Sequence, residues 1–295
     1  MKRLLFIAFL FTAVSAKAQY IDNNNYSHHE VGIMAGVANY YGDLQKEYTP
    51  DYGYRAMGGI FYKYFFNPRL GVRLGASYAS ITAADSLSSS TAQQIRNLRF
   101  GTNIFEMHGG FELNLFKVDF NYSKFSPYIF AGVAAFYSNP YTDAPSGERV
   151  YLRPLSTEGQ GMPTYPDRKE YSVINAAFPI GGGLKVFVGN TLMITAELGL
   201  RYTSYDYLDD VSKSYVPLDS LAAYRGQAAA DFSFRSDELE GFDGNYPDYK
   251  FQRGDSKAND WYWFGGITVG IYFQSFGNTA DYLATKCPGI FRKRR

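Results

Sequence analysis

Apolar and polar residues alternate with a period of two in several stretches of about ten residues. In the clearest stretch, 191–202, the even-numbered positions are apolar or aromatic, and the odd-numbered ones include Thr195, Glu197 and Arg201. The stretches 70–79 and 103–114 repeat this pattern. Such alternation predicts β-strands with two unlike faces. Ten residues is also the length that a membrane-crossing β-strand needs.

Eight such strands can be placed along the chain, and the connections between them differ systematically in length. The strands are predicted at about 30–41, 54–65, 70–80, 101–114, 127–137, 172–187, 191–204 and 261–273. The longer connections are 42–53, 81–100, 138–171 and 205–260. Short turns at one end and long loops at the other are typical of outer-membrane barrels. The sequence therefore predicts an all-β, transmembrane antiparallel up-and-down β-barrel of about eight strands, with ten as the alternative count, long extracellular loops and short periplasmic turns.

A soluble β-sandwich would show the same alternation, so composition has to separate the two folds. The chain is 18% aromatic and 19% charged and contains 29 Gly, which is unusual for a soluble domain. Aromatic residues also concentrate near the predicted strand ends, where a barrel carries its two interfacial girdles. The residues assigned to these girdles are Tyr40, Tyr41, Tyr62, Tyr64, Tyr202, Tyr205, Trp261 and Trp263.

The first eighteen residues have the pattern of a secretory signal peptide. A basic start is followed by an apolar stretch and by a small-x-small site, which predicts cleavage between Ala18 and Gln19. We therefore expect a signal peptide at 1–18, an outer-membrane barrel at 19–273 and a periplasmic tail at 274–295. An even strand number would place both barrel termini in the periplasm. A net charge of +1 does not resemble that of a nucleic-acid-binding protein.

Charged residues fall on the strand face opposite the apolar one and are expected to face the barrel lumen. The simpler interpretation is that these acidic and basic side chains form ion pairs with one another in a water-poor lumen. The alternative is a lipid-modifying enzyme in which His108, beside Glu106 and Glu112, serves as the base that activates a serine nucleophile within reach. The lumen-facing set is Arg73, Glu106, His108, Glu112, Lys185, Glu197 and Arg201.

Metal or cofactor chemistry has little support in the sequence. One Cys and three His nearly exclude metal clusters and disulfide frameworks. Asp209 and Asp210, with Asp206 nearby, form a carboxylate cluster, but the ordered spacing of a calcium loop is absent. We expect these residues to order the loop through local hydrogen bonds. No cofactor and no metal are predicted.

Five segments stand out along the chain: NYYGDL at 39–44, LRPLSTEGQG at 152–161, FPIGGGLK at 178–185, YDYLDDVS at 205–212 and Cys287-Pro288. In their order and joint presence they resemble the PorG-like family of outer-membrane barrels, which is associated with the type IX (Por) secretion system of Bacteroidetes-type bacteria. The residues that carry the resemblance in the loop segments 152–161 and 205–212 are Arg153, Pro154, Leu155, Thr157, Glu158, Gly159, Gln160, Gly161, Asp206, Tyr207, Leu208, Asp209 and Asp210.

The resemblance implies a non-enzymatic barrel component of a type IX secretion machine that contacts outer-membrane lipids and the lipoprotein and partner subunits of a periplasmic ring. It implies an accessory or scaffold role rather than a translocation pore. An eight-stranded barrel is compatible with this role because its interior is just wide enough for its own side chains. The alternatives are a passive or ligand-binding outer-membrane barrel and a lipid-modifying enzyme.

The C-terminal tail is the predicted partner contact. Its last nine residues, 287–295, combine a single cysteine with one aromatic and four basic residues, whereas a frayed, solvated tail is the alternative. The predicted contact residues are Cys287, Pro288, Phe291, Arg292, Lys293, Arg294 and Arg295.

Overall fold

A computed structural model describes residues 28–47, 52–117, 124–189, 191–246 and 251–274. The predicted signal peptide, with the cleavage site between Ala18 and Gln19, lies outside the described residues. The same is true of the tail contact residues between Cys287 and Arg295. Predictions for those two segments therefore stay predictions.

Eight long antiparallel strands close into a single barrel. They are β1 (His28–Tyr41), β2 (Arg55–Phe65), β3 (Leu70–Ala84), β4 (Arg99–Asn114), β5 (Phe125–Tyr137), β8 (Ile174–Val188), β9 (Leu192–Thr203) and β10 (Trp261–Gln274). Each strand pairs with its neighbours in chain order, β5 pairing directly with β8. The sheet closes because β1 pairs with β10. The predicted eight-stranded up-and-down barrel is thereby confirmed, with strand ends within four residues of the predicted ones.

The period-two pattern of the sequence becomes the inner and outer faces of this barrel. Along β9 the odd-numbered side chains are buried, whereas Leu198 on the outer face is 54% exposed. The outer surface of the other strands carries a similar band of exposed apolar side chains, typical of a lipid-facing belt. Members of this belt include Leu74, Phe111, Ile129, Val133, Ile180 and Ile267.

The aromatic girdle prediction is right for some residues and wrong for two. Tyr62 and Tyr202 are exposed on the outer face. Tyr40 and Tyr205 are buried instead. Tyr40 shares the inward face of β1 with Ala38, and its hydroxyl donates to Asp209 inside the molecule. Proximity to a strand end therefore does not by itself predict a girdle position, because the alternation of side chains along β1 points Tyr40 away from the lipid.

The long connections fold over one mouth of the barrel. We call this end the loop end, and the opposite end, where strands are joined by short turns, the turn end. The loop-end connections contain a hairpin of β6 (Tyr141–Asp143) and β7 (Arg149–Tyr151) and three short helices, α1 (Thr91–Arg96), α2 (Leu218–Arg225) and α3 (Gln227–Ser233). Single 3-10 turns lie at Asp85–Leu87, Arg153–Leu155 and Ser236–Glu238.

The residues that cover the loop-end mouth, 42–47, 85–98, 138–173, 204–246 and 251–260, are here called the cap. Buried apolar side chains of the cap, such as Leu152 and Leu208, belong to the same core cluster as Ala38 and Ile104 of the barrel. The cap is therefore packed onto the barrel rather than extended into solvent. In the described part of the chain no helix is long and apolar enough to cross a bilayer.

Candidate functional site: a filled lumen beneath a polar cap

The lumen is closed at the turn end by apolar side chains. Phe65, Phe187, Met193 and Tyr272 form a buried cluster there. The Phe187 and Tyr272 rings meet edge to face at 4.9 Å between centroids. This cluster separates the charged residues of the lumen from the turn end.

Above this cluster, Glu112 is the centre of a buried ion-pair network. Its carboxylate contacts the Lys185 ammonium and lies 3.4 Å from Lys63 Nζ and 3.6 Å from Arg73 Nη1. Lys63 also reaches Glu30, at 3.4 Å from Nζ to Oε1. One acidic side chain thus holds cations from three different strands.

Two further carboxylates extend the network toward the loop end. Arg73 donates to both oxygens of Glu197, at 2.9 and 2.8 Å, and the Tyr128 hydroxyl also donates to Glu197. Glu106 accepts from the Tyr262 hydroxyl at 2.7 Å and from Arg201 Nε at 3.3 Å. Paired, bidentate contacts of this kind are needed before a buried charge is tolerated.

The strands contribute equal numbers of buried acids and bases to the described lumen. The four acids are Glu30, Glu106, Glu112 and Glu197, and the four bases are Lys63, Arg73, Lys185 and Arg201; we call these eight residues the lumen network. Sequence reasoning had not singled out Glu30 and Lys63. Both occupy inward positions of the period-two pattern in β1 and β2, so the alternation could have found them.

His108 lies in the lumen beside this network. Its Nδ1 is 3.0 Å from Glu106 Oε1. The ring occupies the space next to Gly75, where a Cβ atom would come within 2.6 Å of the imidazole. Gly75 is thus required for close packing, and the His108 ring does not face the lipid side of the barrel.

Aromatic rings occupy space between the charged groups. The Arg73 guanidinium lies 4.1 Å from the Phe130 ring, that of Arg201 lies 4.2 Å from the Phe264 ring, and Lys185 Nζ lies 4.5 Å from the Tyr128 ring. Gly183, in the GGG segment of β8, leaves room for Tyr128, since a Cβ there would approach its ring within 2.9 Å. The lumen is therefore filled by side chains, as an eight-stranded barrel requires.

The two motif loops, 152–161 and 205–212, meet in the cap. The Thr157 hydroxyl donates to Asp210, and the Tyr171 hydroxyl donates to the other oxygen of Asp210 at 2.6 Å. Arg253 joins the two loops, donating from Nη1 to Glu158 Oε1 at 3.1 Å and to the Asp210 carbonyl at 2.6 Å. Two segments more than forty residues apart in sequence are thereby held together by a third.

Glu158 is the acceptor at which these loops converge. Its carboxylate receives the backbone N–H of Ser212 at 3.0 Å and that of Lys213 at 3.1 Å, in addition to Arg253. Its own carbonyl accepts from Arg168 Nη1 at 2.8 Å. Nothing in the sequence pattern of 220–258 marks Arg253, so its contacts with the two loops are not predictable from the sequence.

The other motif residues support the same loop junction. Arg153 Nε donates to the Tyr171 carbonyl at 2.7 Å, Pro154 lies in the 3-10 turn, and the Tyr207 ring stacks on Tyr171 at 4.9 Å. Gln160 accepts the Glu158 N–H, and Leu155 and Leu208 pack in the core. Gly159 at φ 74° and Gly161 at φ 73° adopt the left-handed backbone conformation that glycine takes without a steric cost. Ser156 at φ 53° and Asp210 at φ 67° are left-handed as well.

The end of β1 reaches the cap through Tyr40. Its hydroxyl contacts both Asp209 and Asp260 Oδ1, the latter at 2.9 Å. One hydroxyl carries one proton, so the second contact requires a proton on a carboxyl group. Gly42 leaves space for this arrangement, because a Cβ there would overlap the Tyr40 hydroxyl and the Asp260 carboxylate.

The cap carboxyl groups are strongly perturbed by burial. Desolvation by burial raises the pKa values of Asp209 and Asp260 well above the usual range. Neighbouring carboxylates raise them further, mainly Asp43 in the case of Asp209 and Asp209 in the case of Asp260. Burial also raises the pKa of Asp206 to about 7 and that of Asp210 to about 6. Among the described residues, no group of three or more His, Cys, Asp or Glu is arranged to hold a metal ion.

An open pocket of about 1070 Å³ lies on the outer side of the cap. Its wall combines Phe234, Phe242 and Tyr246, whose rings contact one another at 5.2–5.7 Å, with polar side chains of 43–47 and 88–96. Phe251, 64% exposed, lines the same pocket. No motif identified in the sequence pointed to this pocket.

A closed eight-stranded barrel with an apolar outer belt and a charge-filled lumen defines the class of this protein as a small membrane-type β-barrel. Within that class, the chain belongs to a family described as a domain of unknown function, DUF6089, whose model matches residues 2–151. No protein of curated function matches the sequence.

Several solved β-barrels resemble the fold at low sequence identity. Ail of Yersinia pestis, solved in complex with the heparin analogue sucrose octasulfate, is 11% identical with a TM-score of 0.38, covering 84% of this chain and 99% of that one. Neisserial surface protein A is 10% identical, with a TM-score of 0.38 and coverage of 85% and 98%. The outer membrane protein OprG of Pseudomonas aeruginosa is 11% identical, with a TM-score of 0.38 and coverage of 85% and 97%.

Proposed function

We propose that this protein is a non-enzymatic barrel of the outer membrane that serves as a scaffold component of a type IX secretion machine and contacts its periplasmic ring. The cap would face the cell exterior, and both barrel termini would face the periplasm. The assignment to type IX secretion comes from the resemblance of the motif segments to PorG-like barrels. The assignment to a scaffold rests on the geometry of the lumen.

The observation that carries the scaffold role is the filled lumen. A pore for proteins, or even for small solutes, needs a continuous water-filled path, whereas the lumen network and its aromatic neighbours occupy the barrel interior. A barrel of this kind can anchor and position partners in the membrane. The apolar cluster at the turn end further separates the network from the periplasmic side in the proposed orientation.

Co-purification tests the proposal. The full chain with an affinity tag in an outer loop would be isolated from detergent extracts after mild crosslinking, and the ring lipoprotein and its partner subunit should be recovered with it. Deleting 287–295 should abolish recovery while leaving barrel insertion unchanged, as judged by different migration of heated and unheated samples on SDS gels. Cys287→Ser would separate thiol chemistry from the contribution of the basic residues Arg292–Arg295.

Two results would count against this proposal. Full chain that inserts normally but recovers no ring subunit would reject the ring contact. A deletion variant that still recovers the ring would reject the tail as the contact and move the contact to the predicted turns at 66–69, 115–126 and 188–190.

The enzymatic alternative depends on His108. In the barrel this side chain faces the lumen beside Glu106, whereas the reacting bonds of a membrane lipid would lie outside the strands. His108→Ala should therefore leave the lipid profile and secretion unchanged. A changed lipid profile with an intact barrel would favour the enzyme.

A second candidate function, ligand binding by the outer loops, is favoured by the pocket on the cap. Its exposed aromatic side chains and its size suit a small organic molecule. Phe251→Ala together with Tyr246→Ala should remove binding if the pocket is used, with Tyr151→Ala, an exposed loop-end tyrosine outside the pocket, as the control. Unaltered secretion in the pocket variant would separate this function from the scaffold role.

A further inference from the structure

A second, polar cleft of about 430 Å³ opens on the outer wall of the barrel near the loop end. The upper parts of β3 and β4 form one side of it, and the β6–β7 hairpin forms the other. Three exposed arginines line it: Arg55, Arg99 and Arg149. We call this site the rim cleft.

The arginines of the rim cleft are available to a ligand. In the part of the chain that the structure describes, none of the three makes an ion pair with a carboxylate. Arg99 donates from Nη2 to the Asp143 carbonyl at 3.1 Å, and the Arg149 guanidinium lies 3.8 Å from the centre of the Tyr141 ring. These contacts hold the two side chains in place and leave their charge uncompensated. Asp143 is the one acidic residue of the lining, so the cleft keeps a net positive charge.

The rim cleft lies directly beyond the apolar belt. On β3 the exposed outward residues run from Leu70 to Tyr78, and the next two on that face, Ser80 and Thr82, already line the cleft. Two residues of a strand correspond to about 7 Å. On β4 the belt ends at Phe105 in the same way, and Asn103 accepts from the Ser80 hydroxyl at 2.7 Å.

Chemistry and position together identify the ligand. We propose that the rim cleft binds the phosphorylated headgroup of an outer-leaflet glycolipid. Arginine binds phosphate oxygens through paired N–H groups, and several arginines at the edge of an apolar belt meet a headgroup whose acyl chains lie along that belt. The Ser80 and Thr82 hydroxyls line the belt side, but each already donates its one proton, to Asn103 Oδ1 and to the Phe100 carbonyl, so the arginines supply the donors to phosphate. The proposal rests on the proposed orientation, in which the loop end faces the outer leaflet.

Binding to purified, delipidated full chain in detergent tests the proposal independently of secretion. Diphosphoryl lipid A, its dephosphorylated form and inorganic phosphate would be the probes, with bound lipid counted by native mass spectrometry. Diphosphoryl lipid A should bind the natural protein, and Arg55→Gln/Arg99→Gln/Arg149→Gln should bind it at least tenfold more weakly. The control, Arg69→Gln/Lys124→Gln/Lys257→Gln, removes the same charge from exposed positions outside the cleft and should bind normally.

Each contrary outcome has its own meaning. If both triple variants lose the same amount of lipid A binding, the effect is one of net charge and not of the rim cleft. If both variants bind lipid A as strongly as the natural protein, the lipid binds elsewhere on the belt. Equally strong binding of dephosphorylated lipid A would show that the phosphate groups are not recognised. Strong competition by inorganic phosphate would make the cleft a site for free anions. Any of these results overturns the proposal, and heat-dependent migration on gels would verify that every variant forms the barrel. The lipid-binding result is independent of the co-purification experiment, so a failure to recover ring subunits would leave it unchanged.

Discussion

The lumen and the cap bury charges in opposite ways. In the lumen network four acids face four bases, and each acid lies within ion-pair distance of at least one base. In the cap, Arg253 compensates Glu158 and Arg96 compensates Asp85, at 3.1 and 2.7 Å. Asp209 and Asp260 have no cationic partner within ion-pair distance among the described residues and share the Tyr40 hydroxyl instead.

This difference separates two ways of satisfying buried polar groups. A balanced network keeps its ions charged and depends on every member being present. An acid-rich cluster stays buried by holding protons and accepting hydrogen bonds, so its stability depends on pH. The barrel interior is thus suited to permanent closure, whereas the cap can respond to its surroundings.

The largest expected effect comes from breaking the lumen network. Arg73→Met leaves Glu197 without its bidentate partner and weakens the surroundings of Glu112, and removing one member of a buried pair costs about 3–5 kcal/mol. Urea unfolding in detergent should show this loss. Adding Glu197→Gln should restore most of it, whereas Arg69→Met at an exposed turn should have little effect. Equal stability of Arg73→Met and the natural protein would refute the network.

A charge placed on the outer belt should cost somewhat less. Leu198→Arg introduces a cation at a central, lipid-facing position of β9, where the cost in a bilayer is about 2–4 kcal/mol. Ile174→Arg is the matched control, since Ile174 is 64% exposed but begins β8 at the rim. There the expected cost is about 0–1 kcal/mol. Unfolding from lipid vesicles measures both, and equal costs would contradict the assignment of the belt.

The cap should lose stability as pH rises. The pKa of Asp210 is raised by burial to about 6, above its unfolded value, so the folded cap binds more protons between pH 4 and 7 and its free energy of opening falls over that range. The fall due to Asp210 is on the order of 3 kcal/mol. Because the pKa of Asp206 is raised to about 7, this residue extends the loss of cap stability to higher pH.

Amide hydrogen exchange of 204–212, corrected for intrinsic rates, measures this opening at pH 5 and pH 8. Protection should be greater at pH 5, and Asp210→Asn should flatten the difference. Greater protection at pH 8 would mean that the carboxyl groups are stabilised as ions, contrary to the comparison drawn above.

The smallest expected effect is at the link between the two regions. Tyr40→Phe removes the hydroxyl that contacts Asp209 and Asp260 and should destabilise the cap by about 1–3 kcal/mol. Limited proteolysis at 204–212 would detect it, and Tyr137→Phe on the exposed outer face is the control. If the two variants are cleaved at the same rate, the Tyr40 contact has no role in holding the cap.

The fold was predictable because a barrel strand has a strict period of two, which an individual sequence displays directly. The inward positions of Arg73, Glu106, Glu112, Lys185, Glu197 and Arg201 follow from the same parity. Which charges pair depends on register between strands, and alternation does not encode it. The lumen was therefore predictable as a set of residues and not as a network.

The cap was much less predictable. The sequence motifs around Glu158 and Asp210 stand out, and the expected loop-ordering role of the carboxylates agrees with their hydrogen bonds. Arg253 and Asp260 lie in an irregular segment with no periodicity, so their contacts with those motifs depend on long-range packing alone. Tyr40 lies near a strand end, as girdle residues do, but its parity on β1 places it on the inward face.

Conductance of the purified full chain in planar bilayers tests the filled lumen most directly. The account predicts a flat current baseline at neutral pH and moderate voltage, with heat-dependent gel migration showing that the barrel is folded, and a general porin as the positive control. Replacing Arg73 and Glu197 with alanine removes two of the lumen side chains and should allow ion passage if the barrel survives. Stable, stepwise conductance from the unmodified chain would contradict a sealed barrel and, with it, the scaffold role.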